Sequence, residues 1–122
     1  MIYPESKLHV GDNSGAKRVK CIKVLKNSKR SGAKPISIVI VSVRKVKRSK
    51  RLLKGNICKG ILVRLKKNVQ RDTGNSVKFS TNAIILVDAK NAPLGSRVFG
   101  PIFKEIRFAD FPKLLSLSKT LL

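Results

Sequence analysis

A chain of 122 residues is long enough for one domain with a proper hydrophobic core and too short to suggest two. Its 28 Lys and Arg against 6 Asp and Glu give a formal charge of +22, which burdens a free globule with heavy self-repulsion and calls for an anionic partner. The 42% apolar content excludes wholesale disorder, and no uninterrupted apolar run approaches the ~18 residues of a membrane span.

Taken in chain order, Leu8-His9-Val10 is a short strand-like stretch, with His9, the sole histidine, at a surface or pocket edge. Gly11-Asp-Asn-Ser-Gly-Ala-Lys17 follows as a turn. Asp12, Asn13 and Ser14 are able to bond their own backbone amides, and Gly15 permits a tight reversal that presents Lys17 and Arg18. In Arg18 to Lys26, Val19 and Cys21 share one parity while Ile22 and Val24 take the other, so a bulge or a strand buried on both sides is expected. Residues 27–34 read as a flexible basic loop, and Pro35 opens the most β-prone segment, Ile36 to Val43, apolar on both parities.

Arg44 to Lys54 packs seven cations into eleven residues, which as a β-ribbon would face outward along both edges. Ile57 to Lys66 alternates cleanly, with Ile61, Val63 and Leu65 expected inward and Arg64 and Lys66 outward. Asp72-Thr-Gly-Asn75 reads as a hairpin turn, Val77 and Phe79 alternate with Lys78 and Ser80, and Ala83 to Val87 is an apolar run of strand length. Two further turns, Ala92 to Gly95 and Gly95 to Pro101, lead to a last segment, 104–122, where Asp110 and Pro112 would open a short helix. Several short strands with turns between them indicate an all-β-dominated domain, 1–122, built as a small barrel.

The distribution of charge sharpens the partner. No carboxylate lies between Asp12 and Asp72, while that interval carries 20 cations, so one half of the chain is almost purely cationic. Four of the five Phe lie after residue 98, away from it. Single-strand binders place aromatics inside the basic groove, so this segregation favours phosphate and shape recognition of folded RNA. A nucleoid-like single-strand module and a membrane-active cationic protein are the competing classes, and the second lacks a long amphipathic helix. Catalysis is not expected. The six acids are scattered, the single His supports no triad, phosphate-binding glycine loops are missing, and no metal or cofactor site suggests itself. Cys21 and Cys58 are read as two buried, reduced thiols. Met1 leads directly into domain-like sequence, so the protein is expected to act where it is made, unless a leader precedes the given chain.

Two segments exceed what composition explains: Gly11 to Lys17 followed by Val19 and Cys21-Ile-Lys-Val24, and Gly95-Ser-Arg-Val-Phe-Gly-Pro101 followed by Glu105 and Arg107. With Gly60-Ile-Leu-Val63 and Gly74-x-x-x-x-Phe79-x-x-Asn82 between them, the chain resembles the universal large-subunit ribosomal protein fourteen family from Met1-Ile2 to Ser116-Leu117. The resemblance implies a five-stranded β-barrel with a projecting β-ribbon and short C-terminal helices, a non-enzymatic structural role in the large ribosomal subunit, and no cofactor. The implied partners are large-subunit rRNA, neighbouring ribosomal proteins, small-subunit rRNA at an intersubunit bridge and a ribosome-silencing factor, with no membrane and no small-molecule substrate.

Carried over by position, the resemblance implies a structural turn at Asp12, Asn13, Ser14 and Gly15, and RNA-facing cations at Lys17, Arg18, Lys20, Lys23 and Arg30. The ribbon would add Arg44, Lys45, Lys47, Arg48, Lys50, Arg51 and Lys54, and the next strand Arg64, Lys66 and Lys67. Ser96, Arg97 and Lys113 would form the face turned to the other subunit or a partner protein. The chain departs from the family at Lys34-Pro35, at Thr73, and at Val46-Lys-Arg-Ser-Lys-Arg51, where an Ala-x-Pro-x-Gly flavour is usual. Together with the Lys excess, these departures point to a mitochondrial member encoded in the organelle, with a bacterial or plastid source as the alternatives.

Overall fold

A computed structural model describes residues 2–25, 34–47 and 54–122. Five strands, β1 (Lys7–Val10), β2 (Ala16–Val24), β3 (Ile38–Val46), β4 (Ile57–Arg64) and β7 (Ala83–Val87), close a barrel in the order β1-β2-β3-β4-β7. The pairings are antiparallel except that β1 runs parallel to β7, the contact that closes the wall and leaves no free edge. Between β4 and β7, the short strands β5 (Val69–Gln70) and β6 (Ser76–Val77) form a separate hairpin. Its turn is the expected one, with Gly74 at φ 87° and the Arg71 amide donating to Asn75 O at 2.8 Å. A 3-10 helix (Lys104–Phe108) and helix α1 (Pro112–Leu117) complete the chain, with Pro112 in the first turn of α1 as expected.

Two cores are built on the two sides of one wall. Leu8, Val19, Cys21, Val39, Val41, Val43, Leu62, Ile84 and Leu86 fill the barrel, joined by Leu65, Phe79 and Phe103. Ile61, Val63, Ala83, Ile85 and Val87 instead face outward from β4 and β7 and are covered by Ile102, Ile106, Phe111 and Leu114 of the C-terminal segment. This is why β7 is buried at all five positions and shows no alternation. It also corrects the expected facing of β4. Ile61 and Val63 lie on the outer side, and it is Leu62 that points into the barrel. A register shift between Leu62 and Arg64 then returns Leu65 to the interior.

The β2 pattern is resolved in favour of a bulge. The register slips between Cys21 and Lys23, leaving Ile22 outward and 46% exposed, so the strand is buried on one face only. β3 begins two residues later than Ile36, after a turn in which Ile36 has φ 60°. Of the basic stretch 44–54, the described part begins as strand. Residues 44–46 continue β3 along β2, with Ala16 opposite Val46, and the Lys47 amide donates to Gly15 O at 2.7 Å. Residues 48–53 fall outside the described residues.

Candidate nucleic-acid interface

The cationic wall follows from the register of β1, β2 and β3. Leu8, Val19, Cys21 and Val43 point into the barrel, so Lys7, His9, Arg18, Lys20 and Arg44 point out. Lys7 lies directly opposite Lys20, His9 opposite Arg18, and Arg18 opposite Lys45. Lys7, Arg18, Lys20, Arg44 and Lys45, with Val19, line a groove of about 420 Å³. Among the described residues, the one ion pair is Arg71 with Glu105, at 2.7 Å, and it lies elsewhere, tying the base of the β5–β6 hairpin to the C-terminal segment. None of the cations of the β1–β2–β3 wall is therefore ion-paired among the described residues.

Of the expected RNA-facing cations, Lys17, Arg18, Lys23, Arg44, Lys45, Lys47, Lys54, Lys66 and Lys67 are exposed, and Lys20 is half-buried. Lys23 is set apart from Lys20 by the bulge and sits opposite Ile40. Lys67 borders a second groove with Lys34 and Asn68, beneath the β5–β6 hairpin. Arg30, Arg48, Lys50 and Arg51 lie outside the described residues. Lys7, absent from the expected set, joins it because only the β1–β2 register places it against Lys20.

Arg64 is a correction. Its guanidinium is held, half-buried, across two glycines, where Nη2 donates to Phe99 O at 2.9 Å. A Cβ on Gly11 would lie 2.6 Å from Nη2, and one on Gly100 2.8 Å from Nη1. Burial pulls the Arg64 pKa below its ordinary value, and its Nε is buried without a hydrogen-bond partner among the described residues. The side chain is a staple between the two motifs that flank it.

Those two motifs, about 80 residues apart in sequence, are one structural unit. The Asn13 side chain accepts from the Ser96 and Arg97 amides at 2.8 and 3.0 Å and donates to Ser96 Oγ at 2.9 Å. Asp12 pairs in a β-bridge with Val98, and its buried carboxyl accepts from Ser14 N, Ser14 Oγ and Leu86 N. Burial raises the Asp12 carboxyl pKa above its ordinary value, outweighing those hydrogen bonds. The turn at Asp12, Asn13, Ser14 and Gly15 thus holds Ser96 and Arg97 as well as its own backbone. Gly15 has φ 105°, outside the range that other residues adopt readily. Lys113, exposed on α1, stands near enough to Asp88 to help lower that carboxyl's pKa, after the Ala92 amide, the larger cause. It is not among the residues that Asn13 gathers.

Gly95 sits against this junction. A Cβ there would fall 2.6 Å from Asn13 Oδ1 and 3.1 Å from Ser14 N, so Gly95→Ala must displace the Asn13 side chain from its bonds or shift the two backbones by a few tenths of an ångström. The expected loss is about 1–3 kcal/mol in a urea titration, and an unchanged midpoint would show that the junction yields freely.

The C-terminal aromatics divide. Phe103 and Phe111 are buried, whereas Phe99 and Phe108 are 51% and 89% exposed. Both cysteines are free, Cys21 buried and Cys58 half-buried. Among the described residues, no group of His, Cys, Asp and Glu is placed to hold a metal ion, and no helix is long and apolar enough to cross a membrane. In comparison with known protein families, the whole chain, residues 1–122, matches the family model described as ribosomal protein L14p/L23e.

Proposed function

Since the chain belongs to the ribosomal protein L14p/L23e family, structural proteins of the large ribosomal subunit, we propose that it binds folded large-subunit rRNA as a non-enzymatic constituent of that subunit. The observation that carries this reading is the β1–β2–β3 wall, none of whose outward Lys and Arg is ion-paired among the described residues. Phosphates supply the missing charge, and a rigid barrel wall fixes the spacing at which they are met. Lys17, Lys23, Lys47, Lys54, Lys66 and Lys67 extend the contact around the barrel, and Arg30, Arg48, Lys50 and Arg51, outside the described residues, are assigned to the same contact by their charge in the sequence.

The Asn13-held Ser96 and Arg97, with Lys113, form the second face. It meets small-subunit rRNA at an intersubunit bridge, or a ribosome-silencing factor when subunits are kept apart. Exposed Phe99 and Phe108 give neighbouring ribosomal proteins an apolar foothold. The protein works in the mitochondrial matrix, with the bacterial cytoplasm or a plastid as the alternatives.

The test is the salt dependence of binding. The affinity of the full chain for a large-subunit rRNA transcript should fall steeply with salt, by about 0.7–0.9 in log–log slope per phosphate contacted, and exceed that for unstructured single strands. Equal affinity for both, or a flat salt response, contradicts the reading.

A further inference from the structure

The register of the wall makes a prediction that its net charge does not. In an antiparallel pair, directly opposed side chains leave the same face with Cβ atoms ~4.5–5.5 Å apart, and like charges so placed repel. Lys7 against Lys20 is such a pair, and Arg18 is partnered with Lys45 at a bulge, where the β2–β3 register shifts on either side of Arg18 and Arg44 is the extra residue. Lys20 and Arg18 are two residues apart on β2, so the pairs are offset along the wall by roughly 6.7 Å. Arg44 and Val19 line the same groove. Sheets ordinarily avoid opposed like charges or set a carboxylate between them. Here no carboxylate is paired with any of the five cations among the described residues.

We infer that this groove is a two-phosphate cradle, in which the Lys7–Lys20 pair clasps one backbone phosphate of RNA and the Arg18–Lys45 pair the next. The inference deepens the rRNA reading and rests on it. Lys7 becomes an RNA ligand on a strand otherwise given over to closing the barrel. It also follows that the free protein carries, in its folded wall, a repulsion that the bound phosphates relieve, so the same residues oppose folding alone and favour it with RNA.

That opposition of signs is what the experiment reads. Lys7→Gln/Lys20→Gln is compared with wild type in the full chain, with Lys104→Gln, an exposed position on the C-terminal 3-10 helix, as the control. The double variant should flatten the salt slope for the large-subunit rRNA transcript by about 0.7–0.9. At the same time it should raise the melting midpoint of the free protein by about 1–5 °C. Lys104→Gln should change neither, and Lys7→Arg should keep the wild-type slope. A wild type with no salt-dependent rRNA binding overturns the rRNA reading itself. A wild type that binds steeply, with the double variant keeping its slope, overturns the cradle alone. A lowered midpoint, or loss of folding, in the double variant overturns it too, because the lysines would then be stabilising the free wall.

Discussion

Phe103→Ala should cost about 3–5 kcal/mol, a large part of the ~5–15 kcal/mol that holds a domain of this kind together. Phe103 is completely buried, and it meets Phe79 edge-on, with ring centroids 5.0 Å apart and planes at 83°. Its ring belongs to the barrel interior, while Ile102 before it and Ile106 after it belong to the outer core. Its amide donates to Val63 O on the wall between them, at 3.1 Å. Truncation therefore opens a cavity in one core and loosens the anchor of the segment that covers the other. Phe108→Ala is the matched comparison, since that ring is 89% exposed and its loss should change stability by no more than about 0.5 kcal/mol. Chemical denaturation of both variants decides the point, and equal losses would contradict the two-core architecture.

Asp12→Ala should cost about 2–4 kcal/mol. It strands three donors, the Ser14 amide, the Ser14 hydroxyl and the Leu86 amide, which the carboxyl accepts at 3.1, 2.6 and 3.2 Å. Each unsatisfied buried donor costs ~1–3 kcal/mol, offset in part because a carboxylate no longer has to be desolvated. The loss should also depend on pH with a defined sign. A carboxyl whose pKa is raised in the folded state stabilises fully below the ordinary carboxylate range, and that contribution is lost as pH rises through the raised value. The advantage of wild type over Asp12→Ala should therefore shrink as pH rises across that interval. Denaturation midpoints of the two proteins at a series of pH values check it, and an advantage that grows instead would mean that the hydrogen bonds to the ionised form dominate.

The barrel was legible in the sequence because strand-length apolar runs recur between glycine and asparagine turns, and Asp72 to Asn75 made the hairpin it appeared to make. Facing was harder to read. Alternation reports two faces of unlike polarity, and β4 and β7 have two apolar ones, one turned to the barrel and one to the C-terminal segment. Ile61 and Val63 were therefore assigned to the wrong side, because nothing local marks which apolar parity meets which core. Arg64 was misread for a related reason. Its place depends on Gly11 and Gly100, far away in sequence, leaving room for a guanidinium. Lys7 was missed because a single lysine beside a short strand carries no signal until a register sets it against Lys20. The two glycine-bounded motifs, by contrast, were singled out by their residues alone, and they meet through Asn13 and Asp12. Aromatic segregation was also visible in advance, although which Phe are buried depends on the fold.

Charge pointed to a polyanion, and the family places the chain in the large ribosomal subunit. In the proposed reading, the wall of β1, β2 and β3 is the surface that meets the rRNA. The most direct test is sedimentation of an extract of the source compartment across a range of salt. The chain should travel with large subunits at physiological salt and come away only in strong salt, as phosphate contacts require. A chain found free in the soluble fraction at physiological salt would contradict the account.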